Sequence, residues 1–369
     1  MTGKRIFIAL IFLLLSIQLF PRDRIALRLP DMGDYIIIKC DFHSHTVFSD
    51  GHVWPDFRVG EAWVDGLDAL AITDHIEYLP HKDDLAKNHN RSYELARGAA
   101  NTAGITLVRG AEITKDMPPG HFNAIFLTDA DLLDHKDWRR AIKAAHDQGA
   151  FIFWNHPGWR GQEKDGIGKW YDEHEELYKT GMMHGIEVVN SDEYYPEVHQ
   201  WCLDKKLTMM GNSDVHSTTD MDYSQPDAKH RPMTWVLATE NSADAIREAL
   251  DARRTIVYWR DTLIGEQQYL EPLFTGSVIL ETPTINRKAR QQVQLANRSD
   301  LVFNMELVST PEGISAPQHL TLKPGRAVRL NIGFDKEKLF EQIKLDYVVH
   351  NLKVTPEQGL PVSWTIRVE

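Results

Sequence analysis

Nine side chains of the types that bind divalent metal ions occur in six short polar clusters along this chain, each following a β-like apolar run. They are His43, His45, Asp50, His75, Glu112, His121, His156, Asp214 and His216. The C-terminal ends of parallel strands converge on one face of a barrel, so ligands that are distant in sequence can meet there. This ordered arrangement predicts one metal cluster.

The ligand types indicate the chemistry of that cluster. Histidine supplies neutral nitrogen ligands, and Asp or Glu supplies oxygens that can bridge two ions, a mixture that suits Zn, Mn or Fe. The set contains no cysteine, which favours a catalytic cluster with open positions over a structural zinc site. His43 and His45 are two residues apart on an extended segment, so both point to one side.

A lone histidine is more often a hydrogen-bonded core or surface residue than a ligand, and only the joint pattern outweighs that interpretation. The remaining histidines of the helices, loops and C-terminal region are therefore interpreted as ordinary core or surface residues. They are His52, His81, His89, His135, His146, His174, His184, His199, His319 and His350.

The elements that must position the cluster alternate between short strands and longer helices, which predicts a parallel βα architecture. Seven strands are predicted at Tyr35–Lys39, Leu67–Ile72, Ile105–Arg109, Phe151–Trp154, Gly185–Val189, Leu207–Met210 and Met233–Ala238. Helices are predicted at Phe57–Asp65, Arg91–Thr102, Asp137–Gln148, Asp172–Lys179, Pro196–Lys205 and Ser242–Ala252. Because polar groups follow nearly every strand, a distorted barrel fits better than an open sheet.

After Arg260 the pattern changes to short β-rich segments separated by turn residues, with a helical pattern only around Lys336–Gln342. This predicts a small antiparallel β-sandwich of roughly ninety residues with a structural or positioning role. We therefore expect a barrel domain over residues 34–262 and a sandwich domain over residues 275–369.

The composition is that of a globular protein, with 42% hydrophobic and 25% charged residues. The 53 acidic side chains outnumber the 41 basic ones, which argues against a nucleic-acid-coating surface and a stable nucleic-acid partner. The net charge of -12 bears mainly on solubility. The sequence carries no signal for oligomeric state.

Residues 1–22 have the character of an export signal, because Lys4 and Arg5 precede the apolar run Ile6–Phe20. A membrane span usually needs about 18 or more apolar residues, so this run is short for one. No small-x-small cleavage site follows, and an uncleaved membrane anchor is the alternative. We expect an exported, periplasmic protein. The two cysteines, Cys40 and Cys202, are interpreted as buried free thiols rather than a disulfide.

Several motifs resemble those of the PHP (polymerase and histidinol phosphatase) superfamily of metal-dependent phosphoesterases. They are Asp41-Phe42-His43-Ser44-His45-Thr46 with Ser49-Asp50-Gly51, Ala71-Ile72-Thr73-Asp74-His75, Gly110-Ala111-Glu112-Ile113, Asn155-His156-Pro157 and Asn212-Ser213-Asp214-Val215-His216. The resemblance covers Tyr35 to Trp259 and implies a distorted (β/α)7 TIM-like barrel. The stretches Met117–Ala124 and Trp154–Trp159 resemble a narrower bacterial branch with phosphodiesterases that act on organophosphate diesters.

Transferred residue by residue, the resemblance implies two or three ions. One ion would be held by His43, His45, Glu112 and Asp214. Glu112 would bridge to a second ion held by His121 and His156, and a third would fall to Asp50, His75 and His216. Asp50 stands where some relatives use histidine. Asp74 is expected to orient a neighbouring ligand, and the catalytic set is Glu112, Asp214, Asp74 and Arg231.

The function expected from these residues is hydrolysis of a small phosphodiester by a metal-bound hydroxide at a two- or three-metal centre. Alternatives are a phosphomonoesterase or an oligonucleotide-cleaving nuclease on the same barrel, and a non-catalytic metal-binding envelope protein. Arg231 and Arg160 are candidates for contact with the phosphate. Trp159, Tyr194 and Tyr195 are candidates for an apolar wall around the ester groups.

Overall fold

The computed structural model describes residues 23–85, 87–223, 230–286, 290–335 and 337–369. The strands of its first part are β1 (Ile36–Asp41), β2 (Ala69–Ile72), β3 (Thr106–Ile113), β4 (Phe122–Ile125), β5 (Phe151–Trp154), β6 (Gly185–Asn190), β7 (Glu193–Tyr194), β8 (Thr208–Asn212), β9 (Met233–Ala238), β10 (Thr255–Trp259) and β11 (Thr262–Gly265). The helices are α1 (Pro55–Val64), α2 (Arg91–Ala103), a 3-10 helix (Ala130–Leu133), α3 (Trp138–Asp147), α4 (Asp172–Lys179), α5 (Pro196–Lys205), α6 (Thr219–Asp222), α7 (Ala243–Asp251) and α8 (Gln267–Ser277).

Local sequence accounts for several helix boundaries. Helix α7 begins after Ser242, whose side chain accepts a hydrogen bond from the Ala245 amide and so satisfies a free donor of the first turn. Its buried face is formed by residues at helical spacing, Ile246, Ala249 and Leu250. Such amphipathic helices cover the outside of the strands.

The strands form a mixed sheet rather than an all-parallel one. Strand β2 pairs parallel with β1 and β3, while β5 and β8 pair parallel with β6. Strand β4 lies antiparallel between β3 and β5, and β9 lies antiparallel beside β1.

The prediction of seven parallel strands omits β4, and β4 runs antiparallel to both of its neighbours. The loop from Ile113 to Phe122 is too short for the crossover that a parallel partner needs, which takes a dozen or more residues. The chain therefore returns antiparallel, and this return places His121 directly before the strand.

Side chains join β8 to β9 and β10 and close the ring of strands. The Thr234 hydroxyl accepts a hydrogen bond from the Gly211 amide and donates to the Gly211 carbonyl, both at 2.9 Å. The Thr255 hydroxyl donates to the Met209 carbonyl at 2.9 Å. A Cβ on Gly211 would lie 2.2 Å from a methyl carbon of Val257, so only glycine permits this close approach.

The second part of the chain is a β-sandwich. Its strands are β12 (Val278–Leu280), β13 (Thr284–Ile285), β14 (Arg290–Asn297), β15 (Phe303–Ser309), β16 (Ile314–Ser315), β17 (His319–Leu322), β18 (Ala327–Phe334), β19 (Gln342–Lys353) and β20 (Gly359–Val368). One sheet has the order β12-β14-β18-β16, and the other contains β13, β20, β19, β15 and β17. Strand β19 also pairs with β11, so the second sheet continues the sheet of the barrel.

The hydrophobic core runs across this junction. Phe274 of α8, Phe303 of β15 and Leu345 of β19 belong to one buried cluster with Trp235 of β9. Helix α8 is not among the predicted helices. The helical pattern predicted around Lys336–Gln342 is wrong where the structure describes it: residues 337–341 are not helical and β19 begins at Gln342, while Lys336 lies outside the described residues.

Cys40 and Cys202 are free and buried, which confirms that interpretation. The predicted export signal, residues 1–22, lies outside the described residues. Within the described ranges, no helix has both the length and the apolar character needed to cross a bilayer.

We predict that Thr234→Val weakens the ring closure, because valine keeps the shape but leaves the Gly211 amide and carbonyl without their partner. The free energy of unfolding should fall by about 1–3 kcal/mol, measured by urea denaturation. The control is Thr321→Val. The Thr321 hydroxyl bonds to Asn304 in an exposed pair, so this substitution should change the free energy of unfolding by less than about 0.5 kcal/mol. Equal effects of the two variants would contradict this account.

Candidate metal centre

Backbone pairing that continues beyond the strand ends brings the ligand loops together. Ser44 forms a parallel β-bridge with Val215, and the Asp214 amide donates to the His43 carbonyl at 2.9 Å. His75 forms a second such bridge with Glu112. Residues far apart in sequence are thus held side by side by main-chain hydrogen bonds.

The Glu112 carboxylate lies at the centre of the histidine side chains and is fully buried. Its Oε1 atom lies 2.8 Å from His121 Nδ1 and 3.7 Å from His156 Nε2. Its Oε2 atom lies 3.3 Å from His43 Nε2 and 3.4 Å from His45 Nε2. The histidine nitrogen closest to Oε2 is His75 Nδ1, at 3.0 Å. The two oxygens therefore face two different sets of histidines, as those of a bridging carboxylate do.

Asp214 contributes a second carboxylate to the same space. Its Oδ1 atom lies 3.1 Å from His43 Nε2 and 3.0 Å from His45 Nε2. Its Oδ2 atom lies 4.0 Å from His156 Nε2. Asp214 thus lies beside both histidine pairs.

Asp50 marks a third group next to the first two. Its Oδ1 atom lies 3.2 Å from His216 Nε2 and 3.4 Å from His75 Nε2. His45 belongs to this group as well as to the group around Glu112. All nine predicted ligands therefore converge in one region.

These residues fit a metal cluster. Four sets have one ligand atom per residue within 4.8 Å of one another: His45, Asp50, His75 and His216; His43, His45 and Glu112; His43, His156 and Asp214; Glu112, His121 and His156. Two ligands bound at about 2.1 Å to one ion lie about 3.0–3.4 Å apart, close to many of the separations observed.

Unpartnered polar atoms give the same indication. Asp50 Oδ1, Glu112 Oε1 and His121 Nδ1 are buried and, despite the short distances to neighbouring ligand atoms, make no hydrogen bond of good angular geometry among the described residues. A buried polar group without a partner is costly, and bound cations would satisfy all three atoms.

Two of the predicted ligands have a left-handed backbone. His156 has φ 29° and Asp214 has φ 54°. Such conformations cost of order 1–3 kcal/mol in a residue other than glycine and concentrate at functional sites. Both residues belong to the candidate ligand groups of the cluster.

The pKa values of the two buried histidines His43 and His45 shift in opposite directions. Burial alone would lower the pKa of His43, but the carboxylates of Asp214, Glu187 and Glu112 outweigh it and hold that pKa well above its ordinary value. His45 is equally buried but lies among other histidines, and its pKa is lowered to about 4.

Glu187 of β6 is a functional residue that the sequence analysis missed. It is fully buried, and its Oε1 atom lies 2.9 Å from His43 Nδ1. Because a carboxylate only accepts hydrogen bonds, the ring nitrogen donates, and Nε2 is left facing Glu112. The Oε2 atom accepts from the His156 amide at 2.8 Å. Glu187 therefore orients one ligand through its ring and another through its backbone, a common arrangement around metal-binding histidines.

Arg58 of α1 was also missed. Its guanidinium is fully buried and donates to the His45 carbonyl at 2.9 and 3.1 Å, to the His216 carbonyl at 3.1 Å and to the Ser217 carbonyl at 2.9 Å. The Glu61 carboxylate lies 2.6 Å from this guanidinium and compensates its charge. Arg58 thus ties together the loops after β1 and β8.

Asp74 has the orienting contacts that the sequence analysis predicts. Its Oδ1 atom accepts from the Thr46 amide at 2.7 Å and from the Ser49 hydroxyl at 2.8 Å. The Ser49 oxygen in turn lies 3.3 Å from His45 Nδ1. Asp74 therefore acts on His45 through Ser49.

Arg231 is placed differently from the prediction. Its buried guanidinium donates to Asp41 at 2.6 Å and to Asp65 at 3.2 Å, and Asp41 also accepts from the His43 amide at 3.2 Å. A direct contact with phosphate would require these internal ion pairs to break. The contacts favour a positioning role, in which Arg231 anchors Asp41 beneath the first ligand loop.

The other residues that were predicted to contact the substrate have different surroundings. Tyr195 is buried with its hydroxyl bonded to Glu193, and the Tyr194 hydroxyl lies 2.9 Å from His199. Arg160 is exposed, and its guanidinium bonds to the Lys164 carbonyl. Trp159 alone of this set has ring contacts with predicted ligands.

Comparison with known proteins covers both parts of the chain. A solved two-domain protein of Bacteroides vulgatus, which contains a predicted PHP-like metal-dependent phosphoesterase, is 45% identical to this chain with a TM-score of 0.89. The match covers 93% of this chain and 99% of that one. This chain belongs to the PHP-like metal-dependent phosphoesterases.

Membership of the PHP-like family confirms the resemblance, the barrel fold and a hydrolase of phosphoesters. The DUF5001 family model, described as an Ig-like domain, matches residues 278–365 and confirms the C-terminal antiparallel β domain. An uncharacterized protein of Methanocaldococcus jannaschii is 37% identical over 82 residues. That match covers 22% of this chain, and the chain spans 36% of the archaeal protein.

We predict that Glu187→Gln weakens metal binding while the fold is kept, because an amide cannot hold the His43 ring as a carboxylate does. Metal affinity should fall about 10- to 100-fold, measured by competition with a chelating dye. Glu312→Gln, at a position 94% exposed in the C-terminal domain, is the control. Unchanged affinity in Glu187→Gln would contradict the orienting role.

Proposed function

We propose that this protein hydrolyses phosphodiesters, with two or three Mn, Zn or Fe ions held by the nine predicted ligands. The observation that carries the proposal concerns the two oxygens of Glu112, which face separate sets of histidines at 2.8–3.7 Å. His121 and His156 lie beside one oxygen, and the other oxygen faces His43, His45 and His75. Such a division supports at least two ions side by side, the arrangement that suits in-line displacement at phosphorus.

The chain would contribute mainly position and charge. Bound divalent ions lower the pKa of coordinated water towards 7 and neutralise charge on the phosphoryl oxygens. Glu112 and Asp214 hold the histidine pairs together, Glu187 and Asp74 fix ring orientations, and Arg58 brackets the loops. No serine or cysteine nucleophile is needed in this proposal.

The diester preference extends the family membership and rests on the motifs after β3 and β5, Met117–Ala124 and Trp154–Trp159. The decisive test compares the purified, metal-reconstituted protein on bis(p-nitrophenyl) phosphate and p-nitrophenyl phosphate. We expect kcat/KM to be higher on the diester and activity to be lost on chelation. A higher value on the monoester would establish a phosphomonoesterase instead, and no hydrolysis of either ester at full metal occupancy would contradict the proposal. Hydrolysis of short oligonucleotides in the same assay would indicate a nuclease.

We predict that Glu112→Gln removes the bridge, since an amide presents only one good oxygen ligand. Because even residues that only orient ligands cost 10- to 100-fold when changed, kcat/KM should fall by at least about 100-fold. Metal content per chain, measured by elemental analysis, should fall as well. Glu312→Gln should match the wild type in both measurements. Retained metal and activity in Glu112→Gln would refute the bridging role.

We also propose that the protein is exported to the periplasm, on the basis of Lys4, Arg5 and the apolar run Ile6–Phe20. Fractionation of the native host followed by N-terminal mass analysis tests this. A mature protein starting after Phe20 supports cleavage, an intact N-terminus in the membrane fraction supports the anchor, and cytoplasmic recovery contradicts export.

A further inference from the structure

Trp159 forms an exposed aromatic surface at the edge of the metal centre. Its indole lies 5.7 Å from the ring of His121 and 5.4 Å from the ring of His156, measured between centroids. These two histidines are 8% and 6% exposed, whereas Trp159 is 45% exposed. A large apolar ring thus faces solvent directly beside the buried ligands.

The loop around Trp159 holds the indole in place. The Trp159 amide donates to the His156 carbonyl at 2.9 Å, and the Trp159 carbonyl accepts from Gln162 at 2.9 Å and Glu163 at 2.8 Å. A Cβ on Gly161 would lie 2.4 Å from the indole, so the ring packs directly on this glycine. An exposed side chain with this much support is preorganised, and contact with a ligand would cost little ordering.

The same loop is anchored away from the metal centre. Glu163 is 4% exposed and accepts hydrogen bonds from the Tyr171 hydroxyl and the Lys169 ammonium, both at 2.6 Å. Gln162 donates to the Lys115 carbonyl at 2.8 Å. These contacts support the loop that presents the indole.

The distances determine what the indole can reach. A phosphate bound at ions held by His121 and His156 would carry its ester oxygens next to the ring that packs on both histidines. A planar group on such an oxygen would meet the indole in a stacked or edge-to-face contact. A methyl group would reach the same place but cover little of the ring.

We propose that Trp159 is a specificity-determining residue that packs against a planar aromatic ester group of the substrate. This inference rests on the proposed phosphoesterase function and deepens it: the substrate class is a phosphoester with an aromatic ring close to phosphorus. An aryl ester and a nucleotide share this chemistry and differ in the distance from ring to phosphorus.

The test uses calorimetric binding of phenylphosphonate and methylphosphonate, which are not hydrolysed, to the full-length metal-loaded protein. The wild type should bind the phenyl compound about tenfold more tightly than the methyl compound. Trp159→Ala should reduce this preference to about twofold or less, and Trp159→Phe should restore part of it. Phe57→Ala, which removes another exposed aromatic ring on α1, should keep the wild-type preference.

A thymidine 5′-monophosphate arm, run with the same variants, identifies the source of the ring. Tighter binding than phenylphosphonate, lost in Trp159→Ala, indicates a nucleobase, and weaker binding indicates an aryl group held close to phosphorus. Metal content is measured for each variant. If Trp159→Ala loses metal, the preference of Trp159→Phe for the phenyl compound decides whether Trp159 has the proposed role.

Two failures are distinguishable. Equal binding of the two phosphonates by a wild type that hydrolyses phosphoesters, or an unchanged preference in a metal-loaded Trp159→Ala, overturns the role of Trp159 alone. A metal-loaded wild type that binds neither phosphonate and hydrolyses no phosphoester overturns the proposed function, and the role of Trp159 with it.

Discussion

The Glu112 carboxylate is the contact on which the rest of the site depends. It is fully buried, and histidine nitrogens lie 2.8–3.7 Å from its two oxygens. A buried carboxylate is stable only when opposite charge compensates it. Asp214 and Glu187 add two further acids to the same space, so the cluster as a whole demands cations. Metal ions shared through Glu112 meet that demand with the ligands already in position.

The supporting residues form a layer behind the ligands. Arg58 holds carbonyl groups of two ligand loops, Asp74 fixes His45 through Ser49, and Arg231 anchors Asp41 beneath His43. The contacts of Arg58 and Arg231 use no side-chain nitrogen or oxygen of a predicted ligand. Two buried arginines therefore organise the backbone, while the histidines and carboxylates stay available for ions. Outer contacts of this kind tune metal sites nearly as strongly as the ligands do.

Much of the barrel could be predicted because strands and helices there have clear periodicity. Helices α4 and α5 and strands β5 and β9 begin and end where the sequence predicts, and the ligands follow the strand ends. Strand β4 could not be assigned from pattern alone, since four buried residues after a loop look like many other short apolar runs. The short loop before it was the available signal.

The supporting residues were harder to predict for a different reason. Glu187 lies in an apolar strand, and a charged residue fully buried in such a strand is itself a signal that was available. Arg58 and Arg231 resemble ordinary surface cations in the sequence, because what distinguishes them is the set of carbonyls and carboxylates that the fold brings to them. The junction with the C-terminal domain was hard to predict for a similar reason. Strands β11 and β19 pair there. The paired residues are about ninety positions apart, and no local pattern specifies such a contact.

The most direct measurement of the central claim is anomalous diffraction from crystals of the Mn-reconstituted protein. The account predicts at least two manganese peaks about 3.5–4 Å apart, with one oxygen of Glu112 on each ion, His121 and His156 on one side, and His43 and His45 on the other. A single peak contacting only one Glu112 oxygen, or ions bound away from Glu112 altogether, would contradict it.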